Sequence, residues 1–149
     1  MTKVLITGKG SYIGTKVEEW LINYPETYSV DVLDMMDNSW RNKDFHGYDV
    51  VYHVAGIAHR KDATDQLYEE INHKLAVDVA EKAENEGVKQ FIFMSSGAVY
   101  SQSDKKHKRI VVNENSPFEP STAYGTSKLR AEEDILSIKK NMNVAILRT

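Results

Sequence analysis

Lys3-Val4-Leu5-Ile6-Thr7, followed without a break by Gly8-Lys9-Gly10-Ser11-Tyr12-Ile13-Gly14, reads as a buried strand that ends in a glycine-rich turn and opens a helix. Glycines at such a turn allow a tight reversal, let the backbone approach a pyrophosphate, and let helix pack closely on strand. The helix N-terminus adds N–H donors and the positive end of its dipole. Plain β–α turns also carry glycine, so the rest of the chain has to supply the context.

Further strand-like runs lie at Tyr28–Leu33, Asp49–Val54, Gln90–Ser95 and Asn143–Leu147. Their near-continuous apolar character predicts a parallel sheet covered on both faces. Three helical stripes separate them. Ile13, Val17, Trp20, Leu21 and Tyr24 form the first, which Pro25 stops, and its aromatic residues are expected in the core. Leu67, Ile71, Leu75, Val79 and Ala83 form the second, ending before Gly87. Leu129, Ile135, Leu136 and Ile138 form the third, with Ser121 or Thr122 as N-cap. Alternating strands and helices with right-handed crossovers predict an α/β fold: a three-layer, doubly wound parallel sheet of Rossmann type, order 3-2-1-4-5, with the last strand beside the fifth position. Asp34–Tyr48 is expected to hold a short helical turn. Ser101–Thr122 reads as a long loop carrying Pro117 and Pro120.

The chain has 149 residues, 41% of them apolar and 28% charged, which suits one domain over 1–149 with a packed core. No run approaches the roughly 18 to 20 apolar residues of a membrane span, and no secretory leader precedes the first strand. Net charge is -3 and the pI about 5.9, so nothing draws the chain toward nucleic acid or anionic lipid. It contains no cysteine, which suits a cytoplasmic protein. His46, His53, His59, His73 and His107 show no ligand spacing and no acidic cluster joins them, so no metal is expected.

Asp34 closes the second strand twenty residues beyond Gly14, the place where a carboxylate accepts hydrogen bonds from an adenosine ribose. It would repel a 2′-phosphate, and Met35 and Met36 supply no cation, so NAD is expected over NADP. Arg41 is the residue able to overturn that preference by swinging to a 2′-phosphate. Tyr124 and Lys128 stand four apart at the start of the third helix and share a face. Lowering a phenol from a pKa near 10 to near 7 takes roughly 4 kcal/mol. A neutral hydroxyl neighbour offers only about 0.5–1.5 kcal/mol. A cation roughly 5 Å away at an effective dielectric near 20 offers about 3 kcal/mol. The lysine must then do most of the shifting, with the charge of an oxidised nicotinamide adding the rest. Ser96 lies at the carboxyl end of the fourth strand, the edge where such sheets bind ligands, and its hydroxyl would hold a substrate oxygen beside Tyr124.

Together these residues resemble the extended short-chain dehydrogenases/reductases, in their NAD-dependent epimerase/dehydratase branch. Thr7–Gly14 resembles the T-G-x-x-G-x-x-G turn, with Ser11 at the family's middle glycine and Gly10 one place early. There Ser11 either gives its hydroxyl to a phosphate or holds the backbone away from it. Tyr52-His53-Val54-Ala55-Gly56 resembles the H-L-A-A strand end beside the cofactor, and Asn72 falls where members carry a structural asparagine. Gly87–Phe91 resembles the G-V-K-R-F entry to the fourth strand. Glu114–Pro117, Pro120 and Tyr124–Lys128 resemble the E-x-x-P…P-x-x-x-Y-x-x-x-K segment. The resemblance implies Ser96, Tyr124 and Lys128 as catalytic residues. It implies Gly8, Gly10, Ser11, Tyr12, Ile13, Gly14, Asp34, Val54, Ala55 and Gly56, with Tyr124 and Lys128, as the cofactor site. It implies NAD as cofactor, a nucleotide-sugar-like substrate and a homodimer through the Tyr124 helix.

Gly97 and Ala98 stand where dehydratases of the family carry an acidic pair, so elimination is disfavoured and epimerisation or keto-sugar reduction remains. Members continue into a substrate lobe that is absent from this sequence, and the 149 residues alone are expected to be inactive. Two alternatives stay open: a non-catalytic dinucleotide sensor or scaffold, and a reductase of a small aldehyde or ketone. His59-Arg60-Lys61 and Lys105–Arg109 read first as solvated charge, and second as contacts to substrate phosphates.

Overall fold

Five parallel strands carry the fold, in the order β2-β1-β3-β4-β5: β1 (Thr2–Thr7), β2 (Tyr28–Leu33), β3 (Val50–His53), β4 (Gln90–Ser95) and β5 (Asn143–Arg148). The computed structural model describes residues 1–58, 62–100, 111–113 and 115–149. The two basic runs, His59–Lys61 and Lys105–Arg109, and Glu114 lie outside the described residues.

The expected order 3-2-1-4-5 is corrected. The third strand pairs with β1 and β4, not with β2, and the described sheet has five strands with β5 at its edge. Asp34–Tyr48 is too short for both a strand and a crossover helix. It folds instead as a 3-10 turn at Asn38–Asn42, which Asp37 caps through Ser39 N at 2.8 Å. The chain thus leaves β1 on one side for β2 and returns to the other side for β3. That reversal opens a crevice at the carboxyl ends of β1 and β3, the ligand position in a doubly wound sheet.

Alternate residues of the strands feed two cores. Leu5, Val51, Phe91 and Phe93 face a larger one with Trp40, Phe45, Ala76, Val79, Ala83 and Ile135. Val4, Ile6, Tyr52 and Met94 face the other, with Leu21, Ile13 and Val17 of α1 (Tyr12–Leu21). The strands are therefore covered on both faces, the three layers expected from their apolar runs. The first stripe is corrected at its end: the Trp20 and Tyr24 rings meet at a tilt, centroids 4.9 Å apart, but stay 56% and 48% exposed. Helix α1 stops at Leu21, short of the turn that would bury Tyr24.

The second stripe runs without interruption through α2 (Asp65–Tyr68), a six-residue π-helical stretch (Glu69–Lys74) and α3 (Leu75–Asn85). The π stretch contains the buried Asn72, whose amide donates to Ile57 O and accepts from Ile57 N, both at 2.8 Å. Helix α4 (Ala123–Ile138) is capped by Thr122 through Gly125 N at 3.0 Å. Its buried face carries Gly125, Ser127, Lys128, Ala131, Glu132 and Ile135, whereas Leu136 of the expected stripe is exposed. Among the described residues, no helix is long and apolar enough to cross a membrane.

Candidate functional site

The glycine turn is shaped by close approach. Gly8 has φ +98°, and a Cβ there would lie 2.9 Å from both Cα and N of Ala55, just past β3. Gly14 is buried, and a Cβ on it would sit 2.5 Å from Ser11 Oγ and 2.9 Å from Val54 Cγ2. Gly10, at φ +79°, faces open space, so its glycine answers to backbone conformation alone. Ser11 caps α1, its hydroxyl accepting from Gly14 N at 3.2 Å. Of the two roles open to Ser11, this capping bond leaves its O–H able to donate outward. Tyr12 is 79% exposed and Ile13 packs into the α1 core.

The same turn is tied to β2. Gly8 N and Lys9 N both donate to Leu33 O, at 2.9 and 3.2 Å, which brings Asp34 alongside it. Asp34 is exposed and accepts from Met36 N at 2.8 Å through one oxygen. Arg41 is paired with Asp78 at 2.5 Å, its guanidinium 4.5 Å from the Trp40 ring. A cleft of about 510 Å³ between the 3-10 turn and α3 opens past Asp34, lined by Arg41 together with Met35, Met36, Trp40 and Leu75 among others.

Beyond Ala55 the chain leads to the other half of the site. A Cβ on Gly56 would lie 2.9 Å from Asn72 Oδ1 and 3.2 Å from Lys128 Nζ. Lys128, 5% exposed, donates to Met94 O at 2.9 Å, with its ammonium 4.8 Å from the Phe93 ring. Two residues past Met94, Ser96 accepts from Ala98 N at 3.2 Å and donates to Thr149 O at 3.4 Å. Gly125 lets the start of α4 close on that turn, since a Cβ there would fall 2.3 Å from Ala98 O. Tyr124 stands at this junction, half-buried, its ring edge-on to Tyr68 at 6.0 Å. The sequence-predicted site residues therefore follow the carboxyl ends of β1 to β4 or open α1 and α4, with Ile13 turned into the core and Lys128 buried.

Burial drives the Lys128 ammonium down to about 8, while Glu132 holds it up against that loss. Since the folded value lies below the unfolded 10.5, the buried charge costs stability at every pH below about 8, on the order of 3 kcal/mol. The cost fades as pH rises from about 8 to 10.5. Lys128→Met should accordingly stabilise the fold by about 1–3 kcal/mol at pH 7. The gain should shrink toward pH 10.5 in urea denaturation, and equal stability of the two proteins at pH 7 would refute the assigned cost.

His53 was not singled out chemically in the sequence, yet it is fully buried under this site. Its Nδ1 lies 2.7 Å from Thr7 Oγ1, and its Nε2 has no hydrogen-bond partner among the described residues. Burial, aided by the Lys128 charge, lowers its pKa to about 3, so it contributes a neutral ring. Glu132 was also missed. It follows Tyr124 and Lys128 at the next step of four, and that spacing was the available signal.

The expectation that no acidic group joins the histidines is corrected at His46. One atom each of Asp44, His46 and Glu86 falls within 4.8 Å, because Glu86 arrives from the distant end of α3. These atoms serve one another and the chain: His46 Nδ1 meets Asp44 at 2.7 Å, and Glu86 receives Phe45 N and Lys82, each at 2.5 Å.

Comparison with known proteins extends this picture. Over 145 residues the chain is 32% identical to the N-acetyl-alpha-D-glucosaminyl-diphospho-ditrans,octacis-undecaprenol 4-epimerase of Escherichia coli O157:H7, covering 87% of this chain and 41% of that protein. It is 27% identical to the UDP-glucose 4-epimerase of Vibrio cholerae, covering 97% of this chain and 50% of that one. The chain thus spans about half the length, or less, of these relatives. In fold it is similar to a short-chain dehydrogenase/reductase superfamily protein from Agrobacterium tumefaciens solved with bound NAD, at a TM-score of 0.82 and 23% identity, covering 98% of this chain and 48% of that one. The UDP-glucuronic acid 4-epimerase of Bacillus cereus, solved in complex with NAD, gives a TM-score of 0.80 at 23% identity, covering 99% and 55%. The model of the NAD-dependent epimerase/dehydratase family matches residues 4–149, and the chain belongs to that family.

Proposed function

We propose that residues 1–149 form the NAD-binding domain of an enzyme that epimerises or reduces a sugar carried on a diphosphate, with Tyr124 as acid/base. One observation carries this reading: the glycine turn and the helix of Tyr124 and Lys128 meet around the single loop Val54–Gly56. The chain's residues suit the dinucleotide. At Gly8 and Gly14 a Cβ would close the approach, and the first turn of α1 supplies N–H donors for a diphosphate. Asp34 would hold the adenosine ribose, and Val54, Ala55 and Gly56 would line the passage to the nicotinamide end. When bound, NAD would take a hydride from a sugar carbinol and return it.

In this reading Ser96 orients the substrate hydroxyl and Tyr124 takes its proton. Lys128 supplies positive charge near the phenol and a donor for the second ribose. Gly97 and Ala98 offer no group that moves a proton, which favours epimerisation or reduction over elimination. Both relatives named above are 4-epimerases, one of a UDP-linked sugar and one of an undecaprenol-diphosphate-linked sugar. This supports a diphosphate-linked sugar, most simply a nucleotide sugar, as substrate class. A homodimer through α4 and a cytoplasmic setting belong to the same reading, the latter in keeping with a chain free of cysteine.

Titration with the two cofactors tests it. NAD should bind saturably and more tightly than NADP. Asp34→Asn should weaken NAD by about tenfold or more, because hydrogen bonds to a charged group contribute about 1.5–3 kcal/mol. NADP binding as tight as NAD would contradict the role given to Asp34.

A further inference from the structure

Behind Lys128 lie three polar groups that the reading above leaves unused: Ser95 at the end of β4, Glu132 on α4 and Arg148 at the end of β5. Glu132 is 2% exposed. Its carboxylate accepts the Ser95 hydroxyl, Arg148 Nε at 3.0 and 3.2 Å, and Arg148 Nη2 at 2.6 Å. Arg148 is seated in turn. Its guanidinium lies 4.6 Å from the Phe118 ring and 5.5 Å from the Tyr100 ring, and Nη1 donates to Tyr100 Oη at 2.9 Å. Burying a carboxylate is costly even beside a cation, and here Glu132 is buried while the Arg148 side chain stays 28% exposed. A built pair at this place calls for a role beyond packing.

Its place suggests the role. Glu132 follows Lys128 by one helical turn on the buried face of α4. The groups around Lys128 are the neutral His53 of β3, Asn72 beside Gly56, Met94 O of β4, Tyr124 one turn earlier on α4, and the Glu132–Arg148 pair. Among these, Glu132 carries the negative charge and Arg148 a second positive one. We propose that Glu132 is a positioning residue for the reaction: held by Ser95 and Arg148, it keeps the buried Lys128 charged and in place, and Arg148 sets how much of that carboxylate's charge the lysine feels. The proposal rests on the reading in which Lys128 serves Tyr124. Burial and Glu132 act on Lys128 in opposite directions, as the geometry requires.

The two partners then have opposite effects, which a brace would not produce. NMR of ¹⁵N-lysine-labelled protein, with the Lys128 signal assigned by its loss in Lys128→Met, follows the titration directly and needs no turnover. Glu132→Gln should lower the Lys128 midpoint by about one pH unit or more, and Arg148→Met should raise it. Arg148→Lys, which keeps the charge, should leave the midpoint near that of the parent. Midpoints unmoved in both variants, or moved in the same direction, overturn the proposal and leave a structural brace. If Glu132→Gln does not fold, Arg148→Met decides alone: an upward shift supports the proposal and no shift overturns it. NAD titration of the parent protein runs alongside. Failure to bind NAD would strike the reading of the site, whereas normal binding with unmoved midpoints would strike only the role of Glu132.

Discussion

Tyr124→Phe should lower turnover of the full-length enzyme by about 10²- to 10⁴-fold, the range lost when a positioned acid/base is removed, and change NAD affinity far less. The substitution deletes one oxygen. The ring keeps its edge-on contact with Tyr68, and the helix start keeps its Thr122 cap and the close seat of Gly125 on Ala98. A loss of rate with the Tm retained then reports the hydroxyl and not the fold. The expected signature is a fall in kcat at saturating NAD and substrate, with the Tm retained. Near-normal turnover would remove Tyr124 from the chemistry and leave Lys128 without the partner assigned to it.

Gly8→Ala should be the most damaging change in the cradle, weakening NAD by about 100-fold or more, the scale of loss that a displacement of about 1 Å causes at a site of this kind. Its Cβ would meet backbone atoms of Ala55 at 2.9 Å, and backbone cannot step aside as a side chain can. The φ of +98° adds strain of about 1–3 kcal/mol for any residue with a Cβ. Gly14→Ala meets side chains instead. Its Cβ displaces Ser11 Oγ from the α1 cap, which costs about 0.5–2 kcal/mol of helix stability. Gly10→Ala has room and is strained only by its φ, at about 1–2 kcal/mol. Calorimetric titration and thermal melts should place Gly8→Ala first, with Gly14→Ala and Gly10→Ala close together behind it. Gly8→Ala with the NAD affinity of the parent would show that the dinucleotide does not approach this turn.

The cradle was legible because each glycine answers to a local demand, a turn or a near contact, that the residue type itself announces. The N-cap, expected at Ser121 or Thr122 and found at Thr122, was legible for the same reason. Strand order was not. Periodicity marks β3 as a buried strand but does not say which neighbour it takes. The shortness of Asp34–Tyr48, which leaves no room for a further strand and helix, carried the missing information. Trp20 and Tyr24 show the limit of the stripe argument: Trp20 is exposed within α1 and Tyr24 lies past its end, so helical spacing alone did not secure burial. Glu132 and Arg148 were passed over because a charged residue on a helix or a strand end reads as solvated. Only the fold turns them toward each other beneath the lysine. His46 and His73 each pair with a near neighbour, Asp44 and Glu69, and with a distant one, Glu86 and Asp134, and only the distant partners were hidden in the sequence.

A crystal structure of the protein with NAD is the most direct test of the arrangement. The account predicts the diphosphate over Gly8–Gly14, the adenosine ribose on Asp34, and the nicotinamide beside Tyr124, Lys128 and Ser96. A dinucleotide lodged wholly in the cleft between Trp40 and α3, with its nicotinamide remote from Tyr124, would contradict it.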